Sequence, residues 1–228
     1  MKKQKTNIDH FIGMPDVISL LNLSSGFLSI IFAINNNLKV AAFLIILAII
    51  FDSSDGWTAR KVGRNDVYGF GKNIDSLSDA ISFGAAPAVL FYIIGKTYNG
   101  NLEIPIILIS LLMLICGVLR LTRYNVIGDL IDYNGFIGFP IPGIGFILST
   151  LYLSGLYNIY ISMIIMIIVS LLMISNIKYP KFSNTKVLGF ALVMIILMLV
   201  NWPVYNNISI PAVILLLITF YYLIRNIF

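Results

Sequence analysis

Cysteine, histidine and charge are all scarce in this chain. Its single cysteine, Cys116, excludes an intramolecular disulfide, and its position inside an apolar run marks it as a small buried hydrophobe. The single histidine, His10, sits in the basic N-terminal segment and reads as an interfacial residue without a chemical role. Charged residues make up 11% of 228 residues against 59% hydrophobic ones, and mean hydropathy is +0.94, which excludes an ordinary soluble domain. No soluble domain, internal repeat or low-complexity linker is evident. The first apolar run has the length of a span and no small-residue cleavage site after it, so the sequence predicts no cleavable signal.

What remains is an all-α integral membrane protein, a polytopic helical bundle. Eight apolar segments are predicted near 15–34, 40–52, 76–95, 104–119, 139–155, 157–175, 187–202 and 208–224. Several are shorter than the roughly 20 residues of a lone span, so their helices should extend into polar flanks, the second through Asp52 and Asp55. Pro87 would kink the third. Trp202, Tyr205, Tyr221 and Tyr222 fit anchors at the membrane interface.

Basic residues orient the bundle. With the N-terminus in the cytoplasm, the alternating loops put every Lys and Arg inside except Lys39 and Lys96. Residues 1–14 then form a cytoplasmic, mildly amphipathic segment. The net charge of +5 is explained by topology and anionic lipid, so nucleic acid is not an expected partner.

Against this background, the stretch DSSDGWTARKVGRNDVYGFGKNIDSLSD stands out. Asp52 and Asp55 are three apart and Asp75 and Asp79 four apart, so helices would present each pair on one face. A lone Asp is more often a cap or a hydrated loop residue, as Asp129 and Asp132 read here. Four carboxylates gathered at a membrane boundary repel unless cations lie among them, and hard oxygens suit magnesium or manganese. A cation transporter could also cluster carboxylates, but transporters generally keep such sites near the bilayer midplane, whereas these adjoin a basic loop.

Written as D-x2-D-G-x2-A-R-x10-G-x3-D-x3-D, the stretch resembles the signature of the CDP-alcohol phosphotransferases, membrane enzymes that move a phosphoalcohol from a cytidine diphosphate donor to a hydroxyl acceptor. The matching residues are Asp52, Asp55, Gly56, Ala59, Arg60, Gly71, Asp75 and Asp79. The family usually has about eight residues between the Arg and the second Gly. Here Lys61 to Phe70 make ten, read as a longer turn containing Gly63, Asn65, Asp66 and Gly69 outside the metal site.

Three further stretches resemble phosphatidylserine synthases or archaetidylserine synthases within that family. The opening P-N-x2-T-x2-N-x3-G is matched at Pro15, Asn22 and Gly26, with Asp16 for Asn and Ser19 for Thr. Gly117 to Asn125, GVLRLTRYN, resembles G-x-L-R-L-x-R-[FY]-N, and Gly138 to Pro142, GFPIP, resembles G-L-P-x-P.

The resemblance implies a six-helix catalytic core over residues 15–175, two additional C-terminal helices over 176–228, and a homodimer. It implies two divalent cations, Mg2+ or Mn2+, on Asp52, Asp55 and Asp75. Asp79 would be the general base and could share in metal ligation. Gly56, Ala59, Arg60 and Gly71 would bind the CDP-lipid, and Arg120, Arg123 and Asn125 serine or phosphate. Arg120 lies at the edge of a span, where an unpaired guanidinium is costly, and its planar fork suits an anion. The implied reaction transfers a lipid phosphoryl group from CDP-diacylglycerol or CDP-archaeol to L-serine at the cytoplasmic face of the cell membrane. Glycerol 3-phosphate or an inositol phosphate remains open as the acceptor.

Overall fold

A computed structural model describes residues 7–8, 11–62, 69–98, 102–127, 135–180, 185–200 and 202–226. His10, the turn residues Gly63, Asn65 and Asp66, and the loop acids Asp129 and Asp132 lie outside them, as does most of the N-terminal segment.

Each of the eight apolar segments lies on a helix. In chain order these are α1 (Met14–Ile34), α2 (Leu38–Val62), a long helix made of α3 (Phe70–Asp79), a π-helical stretch (Ala80–Ala85) and α4 (Ala86–Tyr98), then α5 (Glu103–Ile127), α6 (Pro142–Leu153), α7 (Ile159–Ile174), α8 (Thr185–Leu199) and α9 (Ile210–Arg225). Met14–Ile34, Phe70–Tyr98 and Glu103–Ile127 are long and apolar enough to cross a membrane alone. As expected, α2 continues through Asp52 and Asp55 into its polar flank. The helices from α6 onward are shorter and apolar.

The first helix is polar inside and apolar outside. Asp16, Ser19, Asn22, Ser25 and Ser29 are buried, while Leu20, Leu21, Phe27, Leu28 and Ile31 are exposed. A water-soluble helix shows the opposite arrangement; lipid as solvent permits this one, because apolar side chains lose nothing by facing it. Small residues let the backbones approach. A Cβ on Gly26 would stand 2.5 Å from Ser82 Cα, and one on Gly145 would stand 2.9 Å from Ile45.

Proline shapes the third span. A proline lacks the N–H of the regular helix, and its ring crowds the carbonyl four residues earlier. Ahead of Pro87 the chain widens into the Ala80–Ala85 π stretch, which absorbs the mismatch within the span. It begins one residue after Asp79.

Two small pieces of sheet join the helices. Strand β1 (Gly135–Ile137) pairs antiparallel with β2 (Lys178–Pro180), placing Phe136 opposite Tyr179. Strands β3 (Val204–Tyr205) and β4 (Ile208–Ser209) form a hairpin between α8 and α9. Its two-residue turn is Asn206–Asn207, both at positive φ, as such turns require.

The main core draws on the segments from α1 to α7, joined by Leu216, Tyr222 and Leu223 of α9. A second cluster, Ile46, Ile195, Met198, Ala212 and Leu215, fastens α8 and α9 to α2.

Candidate metal and substrate site

Helices α2 and α3 present the four carboxylates as the i, i+3 and i, i+4 spacings require. One carboxylate oxygen from each of Asp52, Asp55 and Asp75 lies within 4.8 Å of the other two. Asp55 and Asp79 are buried, and Asp52 and Asp75 partly so. Asp79 comes close enough to Asp52 for their carboxyl groups to interact directly. Oxygens sharing one magnesium at roughly 2.1 Å lie about 3 to 4 Å apart, so this all-oxygen set fits a hard divalent cation after small side-chain adjustments.

The first helix supplies neutral donors to this cluster. Ser19 Oγ donates to Asp55 Oδ2 at 2.6 Å, and Asn22 Nδ2 donates to Asp79 Oδ1 at 3.0 Å. Asp16 completes a three-residue periodicity, 16, 19, 22, on the buried face. Its carboxylate accepts from Gly13 N at 2.6 Å, and its charge is felt by Asp55. Ser19 and Asn22 belong to the N-terminal resemblance, but sequence alone assigns them no contact; the regular spacing of polar residues within an apolar helix was the available signal.

The three residues expected to bind serine or phosphate have different surroundings. Arg120 on α5 is only 5% exposed. Its guanidinium lies over the rings of Tyr124 and Phe136 at 5.4 and 5.3 Å, and its positive charge acts on Asp52, Asp75 and Asp79. Arg120 Nε is buried without a hydrogen bond. One helical turn later, Arg123 donates to the carbonyls of Ile137, Met173 and Ile174 at 2.8, 2.9 and 3.0 Å. It thereby ties α5 to β1 and to the C-terminal end of α7. Asn125 donates from Nδ2 to Ser76 Oγ at 2.8 Å, joining α5 to the residue after Asp75.

Gly138 is what allows the Arg123 brace. Its φ of +78° favours glycine, and a Cβ there would collide with Met173 O and Arg123 Nη2. Gly56 and Ala59 are half-buried on α2 beyond Asp55, and Gly71 is half-buried near the start of α3. Arg60 continues α2; its side chain is outside the described residues. Phe136, which flanks Arg120 together with Tyr124 of the GVLRLTRYN stretch, is an addition that no sequence pattern singled out.

Comparison with known proteins gives the family of the chain. The sequence profile of the CDP-alcohol phosphatidyltransferases matches residues 12–175. The archaetidylserine synthase of Methanothermobacter thermautotrophicus is 48% identical over 174 residues, covering 76% of this chain and 72% of that protein. The CDP-diacylglycerol–serine O-phosphatidyltransferase of Methanocaldococcus jannaschii is 37% identical over 197 residues, covering 86% and 88%. The Bacillus subtilis protein of the same name is 35% identical over 171 residues, covering 75% and 92%. With the profile spanning the helices that carry all four carboxylates, this chain belongs to the CDP-alcohol phosphatidyltransferase family.

Proposed function

We propose that this chain is a multi-pass membrane enzyme that transfers the phosphatidyl or archaetidyl group of a CDP-linked lipid to the hydroxyl of L-serine, releasing CMP. The observation that carries the reading is the convergence of Asp52, Asp55 and Asp75 within 4.8 Å, with Asp79 alongside Asp52. The names of the related proteins support serine as the acceptor.

Asp52, Asp55 and Asp75 would hold two divalent cations, Mg2+ or Mn2+, with Asp79 as a possible further ligand. When bound, such ions neutralise the diphosphate and stabilise charge on the departing CMP. Gly56, Ala59, Arg60 and Gly71 would receive the CDP moiety, their small members leaving room along α2 and α3. Asp79 would accept the serine hydroxyl proton as the oxygen attacks the lipid-linked phosphorus. The new serine O–P bond forms as the bond from that phosphorus to the CMP oxygen breaks, and no phosphoenzyme intervenes.

Arg120 is the better candidate for the serine carboxylate or a donor phosphate, because its Nε has no hydrogen bond while Arg123 already serves three carbonyls. Asn125 would act beside it, from its position against Ser76. Residues 15–175 would form the catalytic core and 176–228 an addition to it, in a homodimer. The charge distribution of the loops supports a cytoplasmic N-terminus and active site.

Purified protein in detergent, given Mg2+ and either CDP-diacylglycerol or CDP-archaeol, should release CMP with L-serine. Glycerol 3-phosphate and inositol phosphate should give little. CMP release with either of those and not with serine would overturn the choice of acceptor. Metal flux into proteoliposomes without CMP release from any acceptor would overturn the enzyme reading.

A further inference from the structure

We propose that Asn22 is a positioning residue for Asp79, fixing which carboxylate oxygen faces the reaction; the inference rests on the reading of Asp79 as the base. Asn22 is fully buried on α1, and its amide donates to Asp79 Oδ1. A carboxylate free to rotate about Cβ–Cγ exchanges its two oxygens and scatters their lone pairs. With Oδ1 held from α1, the plane of the carboxylate beside Asp52 is set, and with it the direction of Oδ2.

The surrounding structure fixes the donor as well. Ser82 Oγ donates to the backbone carbonyl of Asn22 at 2.9 Å, so α1 and the long third span are joined by hydrogen bonds running in both directions. Gly26, one turn after Asn22, lies against Ser82, one turn after Asp79, and a Cβ on Gly26 would meet the Ser82 backbone at 2.5 Å. Both contacts lie on one face of each helix. The π stretch begins between Asp79 and Ser82, so its wider turn sets the angle between the base and this anchor.

The chemistry of the donor matters too. An amide cannot take the proton that Asp79 must accept, and it adds no charge to a cluster already rich in carboxylates. A lysine or arginine at this position would pair with Asp79 and weaken it as a base. Asn22 therefore orients without neutralising, as Ser19 does for Asp55 on the same face of α1.

The test compares wild type with Asn22→Leu, which keeps the approximate shape without the donor, and with Ser82→Ala, which removes only the bond to the Asn22 carbonyl. Kinetics of CMP release with CDP-lipid, L-serine and Mg2+ are read beside Mn2+ binding by electron paramagnetic resonance. Asn22→Leu should lower kcat roughly 30- to 100-fold, leaving both KM values within about threefold and Mn2+ binding unchanged. Ser82→Ala should lose about fivefold or less. A merely structural Asn22 would reduce the yield or thermal stability of folded protein, while the folded fraction turned over normally.

If the leucine variant does not fold, Asn22→Ser, which leaves a small cavity, carries the same expected split between kcat and KM. A kcat within about twofold of wild type in the folded variant overturns the proposal. So does a loss of Mn2+ binding, because Asn22 would then be supporting the metal ligands. Wild-type protein that releases no CMP with any acceptor overturns the functional reading itself, and the inference with it.

Discussion

Ser19 Oγ on α1 donates a 2.6 Å hydrogen bond to Asp55 Oδ2 on α2, joining two buried side chains 36 positions apart. The hydroxyl leaves the carboxylate charged and occupies one of its oxygens, so Asp55 has a defined direction in which to offer the other. Two consequences can be separated by substitution.

Asp55→Asn keeps the shape and can still accept from Ser19, but it removes the charge. Turnover should fall by at least about 100-fold at saturating Mg2+, and excess EDTA should abolish wild-type activity until Mg2+ or Mn2+ is restored. Ser19→Ala retains the carboxylate and loses only its orienting donor. It should raise the Mg2+ concentration needed for half-maximal activity by roughly tenfold, with maximal turnover nearly preserved. Titration of CMP release against Mg2+ distinguishes the two; full activity of Asp55→Asn would sink the metal assignment.

Arg120 and Arg123 are three apart on α5, yet they should respond differently to Arg→Lys. At Arg120, beside Tyr124 and Phe136, lysine keeps a charge but loses the planar fork, so the KM for serine or CDP-lipid should rise by about tenfold or kcat fall comparably. At Arg123, lysine cannot reach three carbonyls on two elements with one fork. Stability should fall by about 2 kcal/mol, with smaller changes in kinetics of the folded enzyme. Thermal unfolding in detergent beside steady-state kinetics provides the comparison. Unchanged kinetics in the Arg120 variant, or unchanged stability in the Arg123 variant, would return that residue to topological charge.

Packing around α1 supplies a third expectation. In Gly26→Ala the new methyl has nowhere to go, because the Ser82 backbone stands in its place. The helices must separate locally, at a cost of about 1 to 3 kcal/mol. Since Asn22 lies one turn away, activity should decline along with stability. A Gly26→Ala protein as stable and active as wild type would show that this approach is looser than 2.5 Å suggests.

Much of this arrangement was legible because membrane helices leave few choices. Apolar length located the eight helices, and i, i+3 and i, i+4 spacing placed Asp52 with Asp55 and Asp75 with Asp79. The rest depends on contacts that no local pattern encodes. Three-residue strands such as Gly135–Ile137 and Lys178–Pro180 are too short to show an alternation, and they form only because α7 returns the chain beside the end of α5. Arg123 is a cation near a helix end whether it meets a substrate or the carbonyls of Met173 and Ile174. The polar face of α1 could be seen in Asp16, Ser19 and Asn22, but its partners, 36 and 57 positions away, could not. Pro87 announced a disturbance in the third span. Its form, a π stretch just after Asp79, follows from how the surrounding helices accommodate it.

Asp79→Asn tests the base most directly, because the substitution leaves so much else in place. The asparagine carbonyl oxygen can accept the Asn22 hydrogen bond that Asp79 Oδ1 accepts now, and the side-chain volume is nearly unchanged. What disappears is a basic oxygen able to take a proton from the serine hydroxyl, a weak nucleophile until that proton leaves. If Asp79 is the base, kcat should fall roughly 100- to 10,000-fold while CDP-lipid and Mn2+ still bind with near-normal affinity, a loss of rate rather than of binding. Equilibrium binding of CDP-lipid, Mn2+ titration and single-turnover CMP release measure the three quantities separately. Lost Mn2+ affinity would make Asp79 chiefly a ligand beside Asp52. Near-normal turnover would assign the proton to another group or to water.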